Sequence, residues 1–165
     1  MSEHLQNLRQ RRSAILAWLE GAVENGDTNV ELLQQTADCI RGTLPDYNWV
    51  GFYMLDPSDS SMLVLGPFAG AATPHTRIPV SQGICGAAVA QGETVVVDDV
   101  SADPRYLSCS IETKSEIVVP IRANGSIVGE IDIDSHAAAA FDAEDREFVE
   151  SCARIIGAHL ESRSN

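Results

Sequence analysis

The chain has no apolar run approaching the ~18 to 20 residues that a membrane span requires. Its amino terminus, MSEHLQNLRQRRSAILAWLE, is charged throughout and lacks the continuous apolar stretch of a secretory signal, so a cytoplasmic setting is expected. Basic residues are scarce: 11 Lys and Arg against 24 Asp and Glu give a formal net charge of −13. Nucleic acid and anionic membrane are therefore not expected partners, because phosphate contacts need cationic side chains. No Cys-x-x-Cys or paired Cys/His spacing occurs, so no metal site is expected. A phosphate-cradling loop, a dinucleotide fingerprint and a readable Ser-His-Asp arrangement are missing as well. The one low-complexity stretch is HAAAA, residues 136–140.

What is present suits one domain, 1–165: 165 residues, 44% of them hydrophobic, can bury a real core. Residues 4–24 read as an amphipathic helix on Leu5, Leu8, Ile15, Leu16, Leu19 and Val23. After ENGD, Thr28 and Glu31 have the spacing of a capping box for a second helix, which stops at Gly42 with Pro45 beyond. Strands follow in NWVGFYML, SMLVLGPF and HTRIPV. SQGICGAAVAQGE reads as a Gly-hinged loop entering a short helix, TVVVDDV as a strand, and SADPRYLSCSIETK as a long polar loop of the kind that carries function. SEIVVPI and SIVGEIDIDS pair around the turn RANG. A last helix, capped near Asp142, is apolar on Phe148, Val149, Cys152, Ile155, Ile156 and Leu160. The pattern predicts an α+β domain: a largely antiparallel central sheet, helices on one face and a ligand pocket on the other.

The stretch GEIDIDSH sharpens that expectation. Side chains alternate along a strand, so Glu130, Asp132 and Asp134 share one face while Ile131 and Ile133 take the other. Extending the parity, Val50, Phe52, Met54, Ile117, Val119, Ile121, Ile131 and Ile133 turn toward the helices. Trp49, Tyr53, Glu116, Asp132 and Asp134 fall on the opposite face. Like charges in a row repel, which makes sense in a pocket that meets a cation. A sheet face open to water fits the alternation equally well.

The four cysteines are expected to rest as thiols without a disulfide framework. Cys39 and Cys152 lie on apolar helix sides and read as packing residues. Cys85, in GICG, sits where a loop enters a helix, and helix amino-terminal groups would lower its pKa. Cys109, in YLSCS, belongs to the polar loop. His75 and His136 read as isolated surface histidines.

From Leu32 through the final helix, the chain resembles the GAF-domain free methionine-(R)-sulfoxide reductase family. The motifs are NWVGFYM, LVLGPFAG, QGICGAAVA, the cysteine loop before SEIVVPI, and GEIDIDS, taken in that order and spacing. The resemblance implies reduction of free methionine sulfoxide, with Cys109 catalytic and Cys85 resolving. It implies that Glu116, Asp132 and Asp134 hold the substrate and that Trp49 and Tyr53 wall the pocket. Thioredoxin would be the reductant, no metal or organic cofactor would be needed, and the first and last helices could form a homodimer or complete the monomer core. The chain departs from the family pattern at His75, near the place of a further cysteine, and at Tyr106 and Ser110 in the loop. A non-catalytic small-molecule sensor and a thiol redox sensor are the alternatives; the lone-domain length favours the enzyme.

Overall fold

The computed structural model describes residues 1–108 and 110–163. Ser2 opens α1 (Glu3–Ala22) by accepting from the Leu5 N–H, and Ile15, Leu19 and Ala22 form its buried stripe. Thr28 and Glu31 make the reciprocal capping box of α2 (Asn29–Thr43): the Thr28 N–H donates to the Glu31 carboxylate at 2.8 Å, and the Glu31 N–H donates to Thr28 Oγ1 at 3.2 Å. Loss of such a cap costs about 1 kcal/mol. Thr28→Ala is therefore expected to lower the melting temperature while leaving the rest of the protein's behaviour unchanged, as calorimetry beside a binding or turnover assay would show.

The strands are β1 (Trp49–Asp56), β2 (Asp59–Ala69), β3 (Arg77–Pro79), β4 (Val95–Val97), β5 (Ser115–Ala123) and β6 (Ser126–Ser135). The short α3 (Gly83–Gln91) lies between β3 and β4, and α4 (Ala143–Arg163) closes the chain. At the β5–β6 turn, Asn124 and Gly125 take φ of 53° and 77°, the left-handed pair that a tight hairpin demands. All pairings are antiparallel, in the order β3-β2-β1-β6-β5-β4. The chain is thus an α+β domain.

Strand parity decides the two faces as expected. Val50, Phe52, Ile117, Val119, Ile121, Ile131 and Ile133 join one core with α1, α2 and α4, and Met54 packs against its edge. Each such side chain gains about 1.5 to 3 kcal/mol on full burial, so this layer holds the helices to the sheet. Polar contacts fix α1 on α4 of the same chain. Arg12 donates to Asp145 at 2.6 Å, Tyr47 donates to the same oxygen at 2.7 Å, and Arg9 pairs with Glu144.

The opposite face has its own apolar cluster, including Tyr53, Ile78, Ile84, Cys85, Ala88, Val97 and Val118. The three long helices share one face, whereas α3 lies on this second face against β5 and β6. Its sequence, ICGAAVA, is apolar or small all round, so it is stable only when covered on both sides. Consequently β6 is buried on both faces from Gly129 to Ser135. Among the described residues, no helix is long and apolar enough to cross a membrane.

Candidate active site

The site is laid out by register. Asp134 of β6 stands opposite Trp49 of β1 and Glu116 of β5; Asp132 stands opposite Gly51 and Val118; Glu130 stands opposite Tyr53 and Pro120. The pocket face of the sheet is therefore a small grid of acids flanked by two aromatics. It is not a solvated face: Glu130 is 0% exposed, Asp134 3%, and Asp132 and Glu116 5% each.

Gly51 is required here because the Trp49 indole folds across it, and a Cβ would collide with that ring. Trp49 stacks on Phe68 with centroids 5.5 Å apart and leans on Tyr53 at 6.3 Å. Its Nε1–H donates to the Ala71 carbonyl at 2.9 Å, and the Tyr53 hydroxyl donates to the His75 carbonyl at 2.7 Å. Both aromatics are thereby locked to segment 71–75. The His75 ring in turn reaches the Ser108 carbonyl at 2.9 Å; since a carbonyl only accepts, Nε2 carries the proton. His75, read as an isolated surface histidine, instead pins the polar loop.

Cys109 lies outside the described residues. Its loop neighbours are placed: Leu107 packs over Gly83, whose φ of +71° lets the chain turn into α3, and Ser110 Oγ accepts from the Glu112 N–H at 3.1 Å. A cavity of about 20 Å³ is lined by Tyr53, His75, Cys85, Leu107, Glu116 and Asp132. A larger one of about 250 Å³ is lined by Trp49, Thr73, Ser110, Thr113, Asp134 and His136 among others. The predicted residues are thus divided between adjoining cavities, joined through the Glu116–Asp134 pair. A groove of about 600 Å³ between α4 and β5 is bigger still, but it is open, lined by charges of both signs and has no cysteine among its lining residues.

Cys85 is the third residue of α3, yet its thiol is pushed up, not lowered. Burial is the largest cause, followed by the charges of Asp132, Glu130 and Glu116. The expectation of a thiolate favoured by the helix end is therefore corrected: desolvation and three anions outweigh one turn of helix dipole. Burial likewise raises Glu130 and Asp132, with the Cys85 thiol acting against it in both cases. Neither oxygen of Glu130, nor Oδ1 of Asp132, has a geometrically formed hydrogen bond. At rest this face therefore favours protonated Cys85 and protonated acid, ready to donate.

Glu130 was absent from the predicted site set although its parity matches Asp132 and Asp134. The signal existed in GEIDID; what was missing was its contact with Cys85, which α3 creates. Cys39 and Cys152 sit in the helical core, where burial raises both thiols, Cys152 to about 12.

A GAF domain is matched over residues 24–160. The free methionine-R-sulfoxide reductase of Saccharomyces cerevisiae is 45% identical over 112 residues, 67% of this chain and 62% of that protein. The enzyme of the same name from Escherichia coli is 37% identical over 127 residues, 76% of this chain and 74% of its own length. Among solved structures, free methionine-R-sulfoxide reductase from Neisseria meningitidis in complex with its substrate superposes with a TM-score of 0.86 at 36% identity, covering 93% of this chain and 92% of that one. On sequence, fold and match length together, the chain belongs to the GAF-domain free methionine-R-sulfoxide reductase family.

Proposed function

We propose that this protein reduces free methionine (R)-sulfoxide to methionine through two cysteines. The observation that carries the reading is the row of buried carboxylates, Glu116, Asp132 and Asp134, on one sheet face beside Trp49 and Tyr53. Free methionine sulfoxide brings an α-ammonium that a peptide-bound residue lacks, and that cation relieves the repulsion of clustered acids. One protonated acid can donate to the sulfoxide oxygen.

Cys109 thiolate attacks the sulfoxide sulfur while the oxygen takes a proton. Methionine leaves two electrons richer, and the oxygen remains on Cys109 as sulfenic acid. The Cys85 sulfur then attacks Cys109, water leaves and a disulfide forms. Raised by its surroundings, Cys85 stays a thiol until needed, which suits a resolving group. Whichever of Glu130 and Asp132 is then ionised can take its proton. An external dithiol, thioredoxin by class, returns the two electrons. Residence in the cytoplasm would keep all four cysteines reduced. The exposed Leu5 and Trp18 on α1 support a homodimer through that helix.

The testing experiment is direct: incubate reduced protein with dithiothreitol and free L-methionine sulfoxide as an equal mixture of its two sulfur epimers, then quantify methionine by chromatography. Methionine should accumulate until about half the mixture is consumed, because a chiral pocket takes one epimer. Methionine no higher than in a protein-free control would overturn the catalytic reading and leave a ligand-binding module.

A further inference from the structure

Cys85, Glu116 and Asp132 come from α3, β5 and β6, far apart in the chain, so no ligand spacing is visible in the sequence. The fold nevertheless brings one donor atom of each within 4.8 Å of the others. All three residues are 5% exposed. We propose that these three side chains form a binding site for one divalent cation of borderline softness, with Zn²⁺ as the probe, occupying the small cavity between them.

Acids gathered in one place do not make a metal site. Here, however, Asp132 Oδ1 and both oxygens of the fully buried Glu130 make no hydrogen bond of ordinary length and angle, and the Cys85 thiol is a neighbour that both side chains share. Buried carboxyl oxygens served by so weak a donor are poorly compensated, and a cation supplies the missing positive charge. The cavity the three residues line is about 20 Å³. That is room for one water-sized particle.

Donor chemistry selects the cation. A thiolate with two carboxylates suits Zn²⁺, whereas Mg²⁺ and Ca²⁺ prefer oxygen alone. Zinc needs contacts of ~2.3 Å to sulfur and ~2.0 to 2.2 Å to oxygen, so the donors would close inward by about 1 Å. Among the described residues lining the cavity, the Tyr53 hydroxyl and His75 Nε2 are already committed to backbone carbonyls, which leaves the fourth position to water. Thiolate, two carboxylates and Zn²⁺ sum to one negative charge, and the protons displaced from Cys85 and from any protonated ligand acid go to solvent. Uptake should therefore strengthen as pH rises.

Zinc would hold the thiol that resolves Cys109 and the acids that read the substrate ammonium, making it a reversible inhibitor competitive with the amino acid. This consequence rests on the proposed reaction; the binding itself does not.

Equilibrium dialysis of the reduced full chain against Zn²⁺, with Co²⁺ as a spectroscopic probe of thiolate ligation, tests the site. The wild type should bind one ion and show the thiolate-to-cobalt charge-transfer band. Cys85→Ser should lose that band, and both it and Asp132→Asn should bind at least about tenfold more weakly. His136→Ala should bind as the wild type does. Circular dichroism identifies a variant that fails to fold, in which case the other ligand variant decides. No uptake by the wild type, undiminished uptake by folded Cys85→Ser or Asp132→Asn, or loss of uptake in His136→Ala would each overturn the assignment. These results hold whether or not the protein proves to be a reductase; in an active preparation, Zn²⁺ should in addition raise the apparent KM for free methionine sulfoxide.

Discussion

Cys109→Ser is expected to release no methionine, even in a single turnover, whereas Cys85→Ser should still release about one methionine per chain. The two cysteines have unequal duties, so their loss should show differently. Without the Cys109 sulfur no bond forms to the sulfoxide, and no later step can compensate. Without Cys85 the first step proceeds, but Cys109 stops as sulfenic acid with no internal partner. Turnover with thioredoxin should then collapse, while a small thiol that attacks the sulfenic acid directly restores a slow rate. Cys85 lies among Asp132, Glu130 and Glu116, which hold its proton in place. A serine there is close in size and stays neutral, so the acid cluster should survive the change. The measurement is methionine counted per chain in one turnover, with mass spectrometry of the oxidised forms. Equal yields from the wild type and Cys109→Ser would remove Cys109 from the chemistry.

The assignment of faces was legible because a strand has an unambiguous period. In β6 a single alternation sends Ile131 and Ile133 to the helical core and Asp132 and Asp134 to the pocket, and the register confirms it against β1 and β5. The Thr28–Glu31 capping box was legible for the same reason, since both partners lie within one turn. Burial of the acids was not. Parity gives a side and says nothing of what covers it; the cover is α3 and the polar loop, placed by contacts between distant segments. The pKa of Cys85 was misread on that account. Local sequence showed a helix beginning, but the burial that dominates is tertiary, and the three carboxylates that add to it come from β5 and β6. The link from His75 to the Ser108 carbonyl is likewise tertiary, and no property of PHT or YLS announces it. The role of Cys109 continues to rest on its place in the family's motif.

Removing the α-amine from the substrate should lower kcat/KM at least tenfold. Opposite charges about 4 Å apart attract by ~1 kcal/mol in water, but by ~4 kcal/mol at the effective dielectric of a partly buried site. Asp132 and Asp134 are 5% and 3% exposed, so the stronger limit applies. Part of that attraction is offset by stripping water from the ammonium, and one charge-assisted contact nets about 1.5 to 3 kcal/mol. The corresponding loss is roughly ten- to a hundredfold. N-acetylation removes the charge but also adds bulk, so two substrates are needed. The N-acetyl derivative should suffer from both effects, and the des-amino analogue, which is smaller than the parent, from loss of charge alone. Asp132→Asn provides the complementary change: if this carboxylate reads the ammonium, the variant should handle free methionine sulfoxide poorly and discriminate less between it and the des-amino compound. Steady-state kinetics for the wild type and Asp132→Asn on both substrates close the cycle. Equal kcat/KM for the free and des-amino sulfoxides in the wild-type protein would show that the acids do not read the amine, leaving the protonated carboxyl as their only part in the reaction.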